Sequence, residues 1–300
     1  MAQGCFAFPD MNIGIIGLDS SHALAFTRIL HESWETLFAD VTVTAAYAGG
    51  SPDFPLSITR VNTFAGRMTK EYGVRLMPTM QQVAENTDAI LILSADGRIH
   101  LNQFKAICSY LKPVFIDKPF ALSSADAGEI IRLAEEFQIP LMSASSLRYA
   151  EALSECTRGD ILGADVYGPM HVESTQGHYF WYGIHSAELL FQIMGPGCRE
   201  VTAFSTDHGD LITGTWKEGR MGTIRGIQNG PENFGITLHT RNANQHIPLE
   251  PSYKELLKSV MNWLKNGVCT VHPSKTLEVI RFLECAEQSR LQKCTILMEM

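Results

Sequence analysis

The run Met11-Asn12-Ile13-Gly14-Ile15-Ile16-Gly17, continuing into Leu18-Asp19-Ser20-Ser21-His22, decides how this 300-residue chain is read. An unbroken apolar run ending in glycine is the pattern of a strand buried on both faces, as in a parallel sheet. Helical spacing follows from His22 to Glu35, with Ala25, Ile29 and Leu30 on one side and Ser20 or Ser21 as the cap. A strand, a tight glycine turn and a helix in that order is where a dinucleotide fold turns backbone N–H groups toward a pyrophosphate. Of the G-x-G-x-x-G spacing only Gly17 is present, with Asp19 and His22 in the other two places. A carboxylate there opposes a phosphate, so an ordinary strand–turn–helix junction stays open as the alternative for this segment alone.

Outward from that turn, strand and helix patterns alternate. Val41 to Ala48 reads as a second strand and ends Ala48-Gly49-Gly50-Ser51, with Asp53 beyond it. The acid that would meet a ribose about 20 residues after the glycine turn is missing. The small residues leave room for a 2′-phosphate, yet no arginine is adjacent in sequence, so NAD and NADP both stay open. Ala89 to Leu93 and Val114 to Ile116 read as buried strands, Leu101 to Leu111 and Ala125 to Phe137 as helices, and Pro140 to Ser143 as a short strand. This alternation predicts a Rossmann-type, doubly wound parallel sheet over residues 11–145. Its fifth strand runs into Asp117-Lys118-Pro119. A lysine at the carboxyl end of a strand in an open α/β sheet faces the ligand crevice, and the proline fixes the chain just after it.

After about Tyr149 the runs become alternating and glycine-punctuated: Met170 to Ser174, Val201 to Ser205, Leu211 to Trp216, Gly222 to Ile227 and Gly235 to His239. They predict an open, mostly antiparallel sheet in an α/β domain over 146–300, with a hairpin turn at Glu218-Gly219. Helices Tyr253 to Asn266 and Ser274 to Ser289 close the chain and are candidates to pack back on the first domain. Within this half, Tyr179-Phe180-Trp181-Tyr182-Gly183-Ile184-His185 precedes an amphipathic helix that carries Glu188. Aromatics, a glycine and a histidine at a loop–helix junction suit the lining of a small-molecule pocket, for which Arg148 is a further candidate.

Composition narrows the classes. A hydrophobic share of 45% and a charged share of 19% belong to an ordinary globular protein. With 24 basic against 32 acidic residues the net charge is -8, which disfavours a phosphate backbone as partner. No apolar run nears the roughly 18 residues of a membrane span, and the first ten residues lack a secretion-signal pattern. The residues before Met11 fit no element; they read as a flexible arm, or as an extension ahead of a natural start at Met11. Seven scattered cysteines, none spaced C-x-x-C, argue against a disulfide framework or a zinc site and for a reducing, cytoplasmic setting.

Taken in order, Ile13 to Leu30, the run from Asp88 through Ser94-Ala95-Asp96-Gly97-Arg98 to His100, then Asp117-Lys118-Pro119, then Gly183-Ile184-His185 with Glu188, resemble the Gfo/Idh/MocA oxidoreductases. The likeness implies a domain carrying NAD or NADP, a second domain whose open sheet builds a homodimer or homotetramer, and hydride transfer to or from a sugar or cyclic polyol. It implies that Gly17, Leu18, Asp19, Ser20, Ser21 and His22 lie at the pyrophosphate. Ser94, Ala95, Asp96 and His100 would line the adenosine and nicotinamide side, and Asp117, Lys118 and Pro119 the nicotinamide ribose. Lys118 and His185 would be catalytic, with Tyr179, Trp181, Tyr182, Glu188 and Arg148 around the substrate; no metal is implied. In one departure, the aspartate usual four residues before the histidine is Trp181 here. Glu188, or the hydroxyl of Tyr182 or Tyr179, then becomes the candidate to orient the imidazole. A nucleotide-binding regulator without turnover and an NAD-assisted glycoside-cleaving enzyme are the alternatives.

Overall fold

The computed structural model describes residues 10–155 and 160–298. The arm before Met11, and with it Cys5, lies outside the described residues, as does Cys156. Two compact units emerge, one made of residues up to Ala121 with Ala125–Ala144 and Leu256–Pro273, the other of Leu122–Ser124, Ser145–Glu255 and Ser274 onward.

The first unit is a parallel sheet. Strands β1 (Met11–Ile16), β2 (Val41–Tyr47), β3 (Arg75–Leu76), β4 (Ala89–Ile92), β5 (Val114–Ile116) and β6 (Leu141–Met142) stand in the order β3-β2-β1-β4-β5-β6, every pair parallel. That is the dinucleotide-fold order, which reverses between β1 and β4. Helices α1 (Ser21–Glu32), α2 (Pro55–Tyr72), α3 (Met80–Glu85), α4 (His100–Ile107) and α5 (Ser124–Glu136) join them. Ile13, Ile15, Ile16 and all of Ala89–Ile92 are buried, which is why these strands read as continuous apolar runs. Helix α2 was not foreseen, although Pro55 at its start and Gly73 at its left-handed end are regular helix bounds. Leu56 and Ile58 on its outer side are exposed, which blurs the apolar stripe.

The second unit is a mixed sheet. Strands β7 (Ile161–Pro169), β8 (Cys198–Thr206), β9 (Gly209–Trp216), β10 (Met221–Ile227), β11 (Phe234–Thr240), β12 (Asn244–Leu249) and β13 (Ile296–Leu297) run in the order β12-β11-β7-β10-β9-β8-β13, with α6 (Gly183–Met194) between β7 and β8. Helices α7 (Tyr253–Asn266) and α8 (Pro273–Gln292) follow β12. The expectation of a strand over Met170 to Ser174 is corrected: the strand is β7, just upstream, and pairs in parallel with β10. Its glycines and alanine hid it. A side chain at Gly168 would meet Phe234 at 2.4 Å and Ser186 of α6 at 3.1 Å, and one at Gly163 the Met221 carbonyl at 2.6 Å. The β9–β10 hairpin closes where expected, with Glu218 and Gly219 both left-handed.

One face of this sheet takes the apolar side chains Ala164, Val166, Ile212, Ile224, Ile236 and Leu238, all buried. The opposite face carries Asp165, Thr213, Thr223 and Thr237 in one cross-strand row, and Phe204, Leu211, Arg225 and Tyr167 in the next. Among the described residues, no helix is long and apolar enough to cross a membrane.

Candidate functional site

The turn after β1 is held from several sides. Gly17 has φ +93°, and a side chain on it would run into Ser94, 2.1 Å from its Oγ and 2.5 Å from its backbone nitrogen. Only glycine lets β1 and the end of β4 come this close. The Gly17 and Leu18 N–H groups bond Tyr47 and Ala48 carbonyls at 2.9 and 2.8 Å, which locks the turn to the end of β2. Ser20 caps α1, yet its hydroxyl is buried and has no bonding partner. An unsatisfied hydroxyl at a helix N-terminus fits an anion held at that end. Ser21, next to it, is exposed.

Asp19 does not disturb that fit. Its carboxyl is fully buried and taken up by the Ala95 N–H at 3.1 Å and the Ser57 hydroxyl at 2.5 Å. Burial raises its pKa, and the bonds from Ser57 and Ala95 counter only part of that rise. Asp96 is also buried and binds Arg98, whose guanidinium reaches on to Asp53 at 2.7 and 2.8 Å. An arginine is therefore present beside the end of β2 after all, brought from the loop after β4. Sequence distance concealed it. His100 is fully buried with its ring nitrogens on the carbonyls of Phe120 and Ser94, at 3.2 and 3.0 Å. Both nitrogens being engaged, it braces the end of β4 against the segment after Pro119.

At the end of β5, Asp117 meets His22 at 2.5 Å, both side chains nine-tenths or more buried. Burial pushes Asp117 up, but the facing His22 and the adjacent Lys118 outweigh it and hold the carboxyl below its usual range. So the histidine in the third glycine place is the partner of the aspartate before the lysine. Lys118 is partly exposed; desolvation lowers its ammonium pKa against the pull of Asp117.

In the second unit His185 sits in the first turn of α6, partly exposed, with its Nδ1 2.7 Å from the Ser145 hydroxyl. The Tyr182 ring stands edge-on at 5.8 Å and Phe234 at 5.9 Å, and Trp181 neighbours Tyr182 at 6.5 Å. Two of the three candidates to orient the imidazole, Glu188 and Tyr179, are corrected by this geometry. Glu188 is buried in an ion pair with Arg148, whose Nη1 also donates to Gln192 at 2.7 Å. Tyr179 is fully buried and donates to Asp210 at 3.1 Å; burial and that carboxylate push its pKa well up. Tyr182 offers the imidazole a ring edge. Tyr179 and Glu188 are thus framework, while Trp181 and Tyr182 remain partly exposed near the histidine.

Arg148 does border open space: a cavity of about 520 Å³ lies among Arg148, Tyr149, Glu151, Ser154 and Glu255. Ser145 was missed by sequence reasoning. The signal was its place just past β6, a polar residue beyond the carboxyl end of a parallel strand. Among the described residues no cluster of three His, Cys, Asp or Glu side chains is arranged to hold a metal.

Residues 11–144 match the profile of the oxidoreductase family with an NAD-binding Rossmann fold. No curated protein sequence matches the chain. Solved structures do. A probable dehydrogenase from Thermotoga maritima is 17% identical, covering 96% of this chain and 99% of its own, with a TM-score of 0.78. GenD2 from gentamicin A biosynthesis, solved with NAD, is 15% identical over 100% and 99%, at 0.79. Scyllo-inositol dehydrogenase from Lactobacillus casei, solved with NAD(H) and scyllo-inositol, is 13% identical over 96% and 99%, at 0.78. At such identities the likeness shows the shared fold. With the six-strand order and the glycine turn, residues 11–144 match the NAD-binding domain of the Gfo/Idh/MocA oxidoreductases, and the chain as a whole shares the fold of these dehydrogenase structures.

Proposed function

We propose that this protein is a dehydrogenase that uses NAD to oxidise, or NADH to reduce, a small polyhydroxylated substrate, a sugar or cyclic polyol. The observation that carries the reading is His185, partly exposed among Tyr182, Trp181 and Phe234 with Nδ1 committed to Ser145. On this reading Nε2 is the ring nitrogen that meets the substrate. Bound nicotinamide supplies the hydride chemistry. In the oxidation direction Nε2 of His185 takes the hydroxyl proton of the substrate, a task suited to an imidazole near neutral pH. Lys118 supplies the cation that favours negative charge on the reacting oxygen. Gly17 and the α1 N-terminus would receive the pyrophosphate, with the Ser20 hydroxyl as a donor.

For the cofactor, NAD is favoured over NADP by the Asp53–Arg98–Asp96 set. Two carboxylates around one guanidinium leave excess negative charge beside the end of β2, which opposes a 2′-phosphate. The polyol reading draws support from the inositol dehydrogenases among the similar structures. The open face of the second sheet, with Phe204 and Met221 exposed on it, is the surface we assign to a second copy of the chain.

The test is NADH and NADPH fluorescence titration followed by turnover on a panel of inositols and sugars, for wild type and His185→Asn. The variant should lose about 10²–10⁴ in turnover with cofactor affinity retained. Full activity in the variant places the base elsewhere. Cofactor binding with no turnover on any substrate favours a nucleotide-binding protein without catalysis.

A further inference from the structure

We propose that Ser145 is the positioning residue of His185, holding the imidazole through a neutral hydroxyl at the place where the family likeness led us to expect a carboxylate. Ser145 is fully buried and caps the short 3-10 turn Ser146–Tyr149, its Oγ accepting the Leu147 N–H at 3.2 Å. The same oxygen lies 2.7 Å from Nδ1 of His185. The turn also grips α6 lower down, where Arg148 holds Glu188 and Gln192. His185, Glu188 and Gln192 are spaced i, i+3 and i+7, one face of a helix. One turn thus sets both the rotation of α6 and the ring it presents.

A hydroxyl acts differently from a carboxylate here. Ser145 Oγ keeps a proton to give and a lone pair to offer after accepting the Leu147 N–H. It can accept from Nδ1–H, leaving Nε2 bare as a base, or donate to bare Nδ1, leaving Nε2–H as a donor. Both neutral tautomers are served without moving the ring. A carboxylate would accept only, and would favour the imidazolium. Among the described residues, Tyr182 stands 5.8 Å from the His185 ring and His171 stands 4.4 Å from Tyr182, while Glu188, one turn on along α6, is paired with Arg148. Phe234 from β11 contributes an apolar edge.

The role in turnover rests on the dehydrogenase reading; the titration of the ring does not. The experiment is therefore ¹H–¹⁵N NMR of the histidine rings in the full chain across pH, with His185→Gln to assign the signal. Ser145→Asp keeps a capping oxygen, so the turn stays capped, and should raise the His185 midpoint by about 1–3 pH units. Ser145→Ala should change the tautomer ratio of His185, and Ser145→Thr should restore it. If a polyol substrate is found, Ser145→Ala should lower kcat about three- to tenfold, the worth of one hydrogen bond, with cofactor Kd unchanged. An unmoved midpoint in Ser145→Asp, or wild-type tautomers in Ser145→Ala, overturns the proposal. Absence of turnover on every polyol, with the shifts present, overturns only the dehydrogenase reading.

Discussion

His22 and His185 each stand in the first turn of a helix, one in each unit, and they are held by opposite chemistry. In the first unit Asp117 faces the His22 ring and Arg98 joins Asp53 to Asp96, while the Asp19 carboxyl is closed by a hydroxyl and an N–H. Around His185 the bond to the ring comes from a hydroxyl, while the nearby Arg148–Glu188 pair is turned to holding the helix. A buried carboxylate makes the His22 ring part of a fixed frame. A hydroxyl holds the partly exposed His185 ring. The first region is built from ion pairs, and the contact to His185 is not one of them.

The largest effect expected from breaking this contrast is at the one cation of the first region given a chemical role. Lys118→Met removes a positioned charge and should lower kcat about 10² or more, read from steady-state rates on whichever polyol is turned over. Wild-type rates would make Lys118 part of the frame.

Asp117→Asn attacks the frame itself. Losing a charged hydrogen bond in a buried site should cost about 1.5–3 kcal/mol, measured by urea unfolding at neutral pH. Because the folded carboxyl lies below its usual range, its contribution is complete above the unfolded pKa of about 3.9. It is lost as pH falls through the lower folded value, so the gap between wild type and variant should close in acid. A gap that does not depend on pH would mean that Asp117 acts through packing.

The smallest effect sharpens the charge matching. Asp53→Ser leaves Arg98 with one carboxylate, and NADPH affinity should rise about two- to fivefold relative to NADH in paired fluorescence titrations. An unchanged preference would remove the Asp53–Arg98 pair from cofactor choice.

How much of this was legible follows burial. Strands β1, β4 and β5, buried on both faces, write continuous apolar runs, and their bounds were read to within a residue or so. Strand β7 carries Ala164 and Gly168 on its apolar face and Gly163 on the other, and leaves no such run. Among the candidate site residues, Gly17 stood out because its left-handed turn demands glycine, and Lys118 and His185 by their places after β5 and at the start of α6. Their partners did not. Ser145 lies 40 residues from His185, and Asp117 lies 95 from His22.

The amino-acid sequence by itself determined the parallel sheet, the glycine turn that a dinucleotide needs, and the lysine and histidine at the ends of their elements. These depend on local periodicity and on backbone limits, which neighbouring residues impose on one another. Only the tertiary structure decided what Asp19, His22, Glu188 and Arg148 do. A polar side chain entering a low-dielectric interior must find a partner, and that partner comes from whichever strand end or turn the fold brings within 3 Å or so.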